Sequence, residues 1–145
     1  SMELRPKHET RWASNQGENF MLEQVADLVN GDPVLVRRGR HLSCAFLVEA
    51  RPRSWLVHGL RGRIEKVEEG PFVMPSWRFA LRADETSWQR FWQPRPAPGD
   101  HDLLALVRRG LLKIEGDLQP LMANLLYIKG VLEAPRAAAR PTGAA

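Results

Sequence analysis

The stretch that most constrains the fold runs from Arg109 to Gly130 and reads RGLLKIEGDLQPLMANLLYIKG. Leu112 and Ile114 alternate with Leu111, Lys113 and Glu115, a period of two that predicts a short strand with one apolar face. Gly116 turns the chain. Asp117 then stands where a helix takes its N-cap, since a carboxylate accepts the free N–H groups of the first turn. Pro120 falls at the third helical position, where the missing N–H has no intrahelical partner anyway. Beyond it, Leu118, Leu121, Met122, Leu125, Leu126, Ile128 and Leu132 spread over a wide arc of one long predicted helix. Such an arc covers either a sheet alone or a sheet together with something the sheet cannot supply.

The rest of the chain supplies the sheet. Residues 1–14 have no apolar period and read as a flexible arm that Trp12 could fix. From Glu18, the spacing of Phe20, Met21, Val25, Leu28 and Val29 predicts a helix that stops at Asn30-Gly31. Asp32-Pro33 opens an extended piece, Val34 to Val36, and Arg38-Gly39-Arg40 a turn. Leu42, Cys44, Phe46 and Val48 then alternate with Ser43, Ala45, Leu47 and Glu49, which predicts a strand broken by Arg51-Pro52-Arg53. Ser54 to Leu60 and Gly62 to Glu69 are further strand material, with Gly59 and Gly62 marking a bend or bulge.

After a loop between Gly70-Pro71 and Met74-Pro75, Trp77, Phe79, Leu81 and Ala83 alternate more cleanly than any other segment. Asp84 caps a short helix on which Trp88, Phe91 and Trp92 meet at i, i+3 and i+4. A stiff Pro94–Pro98 connection follows. A short helix from Asp100 or Asp102 then carries Leu103, Leu104, Leu106 and Val107 and stops at Gly110. Strands first and segregated helices later predict an α+β domain with a mostly antiparallel sheet covered on one face. Residues 15–133 form that single domain, and the Ala- and Pro-rich 134–145 reads as a disordered tail.

The 145 residues, 43% hydrophobic, suit one domain with a real core. No apolar run approaches the roughly 20 residues that a membrane span needs, so no stable membrane insertion is expected. The lone Cys44 leaves no internal disulfide and fits a reducing compartment, and a cytoplasmic protein is expected. The net charge of +4 invites a nucleic-acid reading, but the arginines are spread along the chain among acidic residues, so no nucleic-acid partner is expected.

Chemistry is sparse. His8, His41, His58 and His101 show no metal-ligand spacing with one another or with Cys44, and no metal or other cofactor is expected. His101, between Asp100 and Asp102, could be an oriented base, but a helix start explains it equally. Cys44 lies on an apolar face, and no nucleophile elbow or phosphate-cradling loop is present. Nothing asks for an enzyme. Lys129 projects into the apolar arc of the last helix, so either its stem snorkels or the arc meets an opening. Asn124, at the arc's edge, would bond a head group or a neighbouring backbone.

The run Leu103 to Asp117, followed by Leu118 to Leu126, resembles the C-terminal part of the sterol carrier protein type 2 family. There a short helix leads to a glycine, then a Gly-x-Leu-x-Ile-x-Gly-Asp strand, then a Leu- and Met-rich helix. Gly110, Leu112, Ile114, Gly116, Asp117, Leu121 and Met122 match that pattern. The likeness is good from Trp77 to Leu132 and extends back to about Leu42. The Pro94–Pro98 segment departs from the family pattern. The resemblance implies a curved sheet of about five strands, covered by helices, with an apolar tunnel between sheet and helices.

It also implies a non-catalytic binder of a long-chain lipid: a fatty acid, acyl-CoA, sterol or isoprenoid-like molecule. The expected lipid-binding wall is Phe46, Trp77, Phe79, Trp88, Phe91, Leu103, Val107, Met122, Leu125 and Leu126. Arg108 and Arg109 near an entrance would favour acidic head groups, but a solvated helix end, where cations suit the dipole, explains that pair better. The alternative is an accessory protein that holds a partner enzyme of lipid or isoprenoid-quinone metabolism, docking through Trp88, Trp92 and Tyr127. An enzyme using His101 as base comes third.

Overall fold

The computed structural model describes residues 24–136; the expected arm and the start of the first helix lie outside them. Two short helices open the fold, α1 (Val25–Asn30) and α2 (Pro33–Arg38). Strands β1 (Ala45–Arg51), β2 (Arg53–Leu60), β3 (Arg63–Glu69) and β4 (Phe79–Asp84) follow. Then come α3 (Glu85–Phe91), α4 (Leu103–Arg108), β5 (Leu112–Gly116), α5 (Leu118–Ala123) and α6 (Leu125–Glu133).

The strands form one sheet in the order β3-β2-β1-β4-β5. β1 and β4 run parallel at its centre, and the other neighbours are antiparallel. The expected α+β sheet of about five mostly antiparallel strands is therefore present. The register between β2 and β3 shifts at His58/Gly59, at the expected glycine.

Alternation decides which face each residue takes. Phe46 and Phe79 sit opposite each other on β1 and β4, and their rings stack 5.1 Å apart and 6° from parallel. With Val48, Trp55, Val57, Leu81 and Leu112 they form the sheet's share of the main core, which the helices complete with Val25, Val29, Trp88, Phe91, Leu106, Tyr127, Ile128 and Leu132. The opposite face is not bare. Leu47, Leu56 and Ala80 are buried there beneath Phe72 and Trp77 of the 70–78 segment. One-sided covering was the expectation; the second face gains its own cover because Leu47 and Leu56 point away from the helices and need one.

Four further expectations are corrected. Val34 to Val36 belong to α2 rather than an extended piece: Asp32 accepts the Leu35 N–H at 3.2 Å and Pro33 takes the first turn, so Asp-Pro is a helix start. The first strand begins at Ala45, not Leu42. Asp84 precedes α3 without capping it, because its carboxylate is held by Arg51 at 2.8 Å. The long final helix is two helices, broken at Asn124, whose φ and ψ of −125° and 35° are not helical.

Asp102 and Asp117 cap α4 and α5 as expected. Of the 134–145 stretch, expected to be a disordered tail, residues 134–136 lie within the described part. Arg136 donates to the carbonyls of Phe91 and His101 at 2.7 and 2.8 Å, and its guanidinium lies 4.5 Å over the Phe91 ring. Residues 137–145 lie outside the described part.

Candidate functional site

The corner between β5 and α5 sets up the site. Gly116 turns at φ +95°, where a Cβ would stand 2.6 Å from the Arg78 carbonyl. That close approach lets the backbone of Arg78 bridge three elements: its N–H donates to Ala45 O at 2.8 Å and its carbonyl accepts from Asp117 N–H at 2.8 Å. The Arg78 side chain then pairs with Asp117 at 3.0 Å and holds that carboxyl below the usual carboxylate range. The start of α5 is thus tied to the start of β1.

Between them lies an open cleft of about 410 Å³. His41, Leu42, Ser43 and Cys44 form one wall; Gln119, Pro120 and Ala123 of α5, with Asn124 just beyond it, form the other, and Arg78 also lines the cleft. Leu42 and Pro120 are buried, so the floor is apolar, whereas His41 and Gln119 at the rim are exposed. Burial pushes the Cys44 thiol up, against a smaller opposing pull from Arg78, so it stays protonated and behaves as part of the floor. α5 is thinly held over the cleft, with only Pro120 and Leu121 buried. A second open cleft, of about 400 Å³, lies between α2 and the end of α6 and is lined by Val34, Leu35, Arg38 and Gly130 among others.

Among the described residues, the ten expected wall residues are spread over several environments. Phe46, Phe79, Trp88, Phe91 and Leu103 are brought together, but as packed core. Trp88 meets Phe91 edge-on at 5.6 Å and stacks on Trp92 at 5.4 Å. Trp77 sits half-buried on the opposite face of the sheet, with Arg82 over its ring at 5.6 Å. Leu125 is half-buried. Val107, Met122 and Leu126 point outward, with exposures of 36%, 53% and 69%. The helix break at Asn124 gives the two halves of the arc different axes, so a single wheel could not place them. Among the described residues neither cleft is walled by these ten: the one beneath α5 and the one beside α2 have other linings. The residues of the cleft beneath α5 carry no motif, and spacing alone could not have picked them out.

Trp88, Trp92 and Tyr127 are buried, which removes them as a docking face. Trp88 donates to Glu49 O at 2.8 Å and Trp92 to Leu132 O at 2.9 Å. Tyr127 donates to Gly62 O at 2.6 Å, and burial pushes its hydroxyl up to about 12. Lys129 meets no opening: it pairs with Asp102 at 2.7 Å, joining α6 to α4. Asn124 serves the backbone, donating to Pro120 O at 2.9 Å. Arg109 is held by Asp100 at 2.8 Å and by Gly99 O at 2.9 Å, while Arg108 is exposed. His101 is exposed, and its Nδ1 accepts from Gly99 N–H at 3.3 Å. Among the described residues no group of three or more His, Cys, Asp or Glu could hold a metal ion, and no helix is long and apolar enough to cross a membrane.

A mixed five-stranded sheet with helices on one face and a closing helix pair after a Gly-Asp corner defines the sterol carrier protein 2 fold, and solved structures agree. A crystal structure of sterol carrier protein 2 superposes with a TM-score of 0.67 at 15% identity, covering 83% of this chain and 96% of that one. A conserved hypothetical protein of Thermus thermophilus, described with a query as a sterol carrier protein, gives 0.62 at 14% identity, covering 86% of this chain and 90% of that one. An SCP2 protein of ubiquinone synthesis, UbiJ, gives 0.50 at 16% identity over 83% and 94% of the two chains. No family model matches the sequence. No curated protein matches it either.

Proposed function

We propose that the protein is a non-enzymatic carrier of a long-chain lipid, and that the guest lies in the cleft beneath α5 with its tail toward Leu42 and Pro120. The cleft itself carries this reading: about 410 Å³ of space with an apolar floor and a polar rim falls within the roughly 300–1,000 Å³ of ordinary ligand sites. Sterol carrier proteins of the same fold make a lipid the natural guest. Each methylene covered in the open cleft yields about 0.8 kcal/mol, which works against the several kcal/mol lost in immobilising the ligand, so contacts at the polar rim share the binding with the tail. At the rim, Arg78 and Gln119 would select an oxygen-rich head group.

Native mass spectrometry of gently purified protein should reveal co-purified apolar mass, and fluorescent long-chain fatty acids should bind. Ala123→Trp, which fills the cleft from α5, should weaken that binding tenfold or more, by about 1.4 kcal/mol, without unfolding the protein. If neither fatty acids nor sterols bind wild type or raise its Tm, the reading is wrong.

A second reading, an accessory protein holding a partner enzyme of lipid or isoprenoid-quinone metabolism, is favoured by one observation. Leu118, Met122 and Leu126 are 47%, 53% and 69% exposed along the closing helices. The likeness to UbiJ supports the same reading. Charged substitutions at Met122 and Leu126 that abolish a pull-down while leaving fatty-acid binding intact would favour it over free carriage.

A further inference from the structure

The fold gathers five arginines that are spread out in sequence. Arg37, Arg38 and Arg40 lie at the end of α2 and just beyond it; Arg61 and Arg63 flank the β2–β3 turn. The two segments are stitched together. Arg61 N–H donates to Ser43 Oγ at 3.0 Å and Gly62 N–H to Leu42 O at 3.3 Å. Gly62, at φ +86°, passes so close to α2 that a Cβ would stand 2.2 Å from the Val36 carbonyl. All five arginines are exposed. None takes part in an ion pair formed among the described residues. Large apolar side chains stand exposed among them: Val34 at 63%, a turn before Arg37 and Arg38, and Leu60 at 44%, directly before Arg61. The segment that Arg61 and Gly62 grip, Leu42 to Ser43, is also a wall of the cleft beneath α5.

We infer that this basic edge docks the protein on a bilayer surface carrying anionic phospholipids, with the cleft opening beside the head groups. Guanidinium groups outside any ion pair complement phosphate, which arginine binds with paired hydrogen bonds; Arg40 also donates to Arg37 O at 2.8 Å, and Arg38 borders the second cleft with Asp32 and Glu133. Val34 and Leu60 suit the boundary between head groups and acyl chains, where basic and large apolar side chains are found together. A strip for single-stranded nucleic acid would use aromatic platforms for the bases, and no Phe, Tyr or Trp is exposed among these residues. The inference rests on the carrier reading for its purpose, since a carrier collects its guest from a membrane. Its charge and geometry stand independently.

Each arginine near an anionic surface strengthens partitioning about fivefold. Co-sedimentation should therefore show binding to vesicles of equal parts phosphatidylcholine and phosphatidylglycerol, release by salt, and no binding to pure phosphatidylcholine. R61Q/R63Q and, separately, R37Q/R38Q should each weaken partitioning about 30-fold with an unchanged Tm, while R108Q, at the end of α4, should leave it unaltered. Absent or charge-independent vesicle binding, or arginine variants that bind like wild type, would overturn the inference. So would tighter binding to an RNA oligomer than to the anionic vesicles at the same salt. Fatty-acid binding in vesicle-free buffer separates the two proposals. A protein that docks but takes no long-chain ligand overturns the carrier reading alone, and one that takes the ligand but ignores anionic vesicles overturns docking alone.

Discussion

Three of the tryptophans are fully enclosed, and they differ in one atom's fate. The indole N–H groups of Trp88 and Trp92 reach the carbonyls of Glu49 and Leu132, whereas the Trp55 N–H has no partner. Leaving a buried polar group unpaired costs about 1–3 kcal/mol. Trp92→Phe orphans the Leu132 carbonyl; Trp55→Phe removes a group already orphaned. Urea unfolding should therefore find Trp92→Phe more destabilising than Trp55→Phe by about 1–3 kcal/mol, and equal losses would refute that accounting. The sequence identifies Trp88, Phe91 and Trp92 as one cluster because i, i+3 and i+4 share a helix face. It could not foretell that all three would be sealed in, since that depends on β1 and α6, elements distant in the chain.

At the scale of elements, the β5–α5 corner was readable and the α5–α6 joint was not. Gly116 and Asp117 announce a strand end and a helix cap through local chemistry, and each does what its type suggests. Adding a methyl at Gly116 meets backbone at 2.6 Å and a left-handed φ, so Gly116→Ala should cost about 3 kcal/mol or more and loosen fatty-acid binding as α5 shifts. A variant with unchanged Tm would mean that the corner is free to move. The joint was hidden because Asn124 is tolerable inside a helix by propensity. Its side-chain amide nevertheless replaces the main chain as donor to Pro120 O, while its own N–H turns to Leu121 O at 3.2 Å. That exchange ends α5 and reorients everything beyond it.

For the whole molecule, the Lys129–Asp102 pair ties the closing helices to α4. Partial burial opposes the Asp102 charge, but Lys129 and the capped backbone N–H groups outweigh it and hold the carboxyl below its ordinary range. A group with a lowered folded pKa stabilises above its unfolded value of about 3.9 and loses that contribution as pH falls through the folded one. Asp102→Asn keeps a competent cap but not the pair. Its urea midpoint should lie below wild type at neutral pH and converge with it as pH drops below about 4. A gap that persists in acid would assign the difference to capping instead.

The sequence by itself determined the element types over most of the chain, the core faces of the strands, the corner at Gly116-Asp117 and the likeness to the sterol carrier proteins. These are consequences of spacing and local hydrogen bonding, which travel with the chain. Only the tertiary structure decided which half of the closing arc is covered, where a cleft is left, and that Arg37 and Arg63 share an edge. Periodicity says which residues face the same way but not what stands opposite them. The contacts that answer, such as Gly62 against Leu42 and Tyr127 against Gly62, join segments that no local pattern connects.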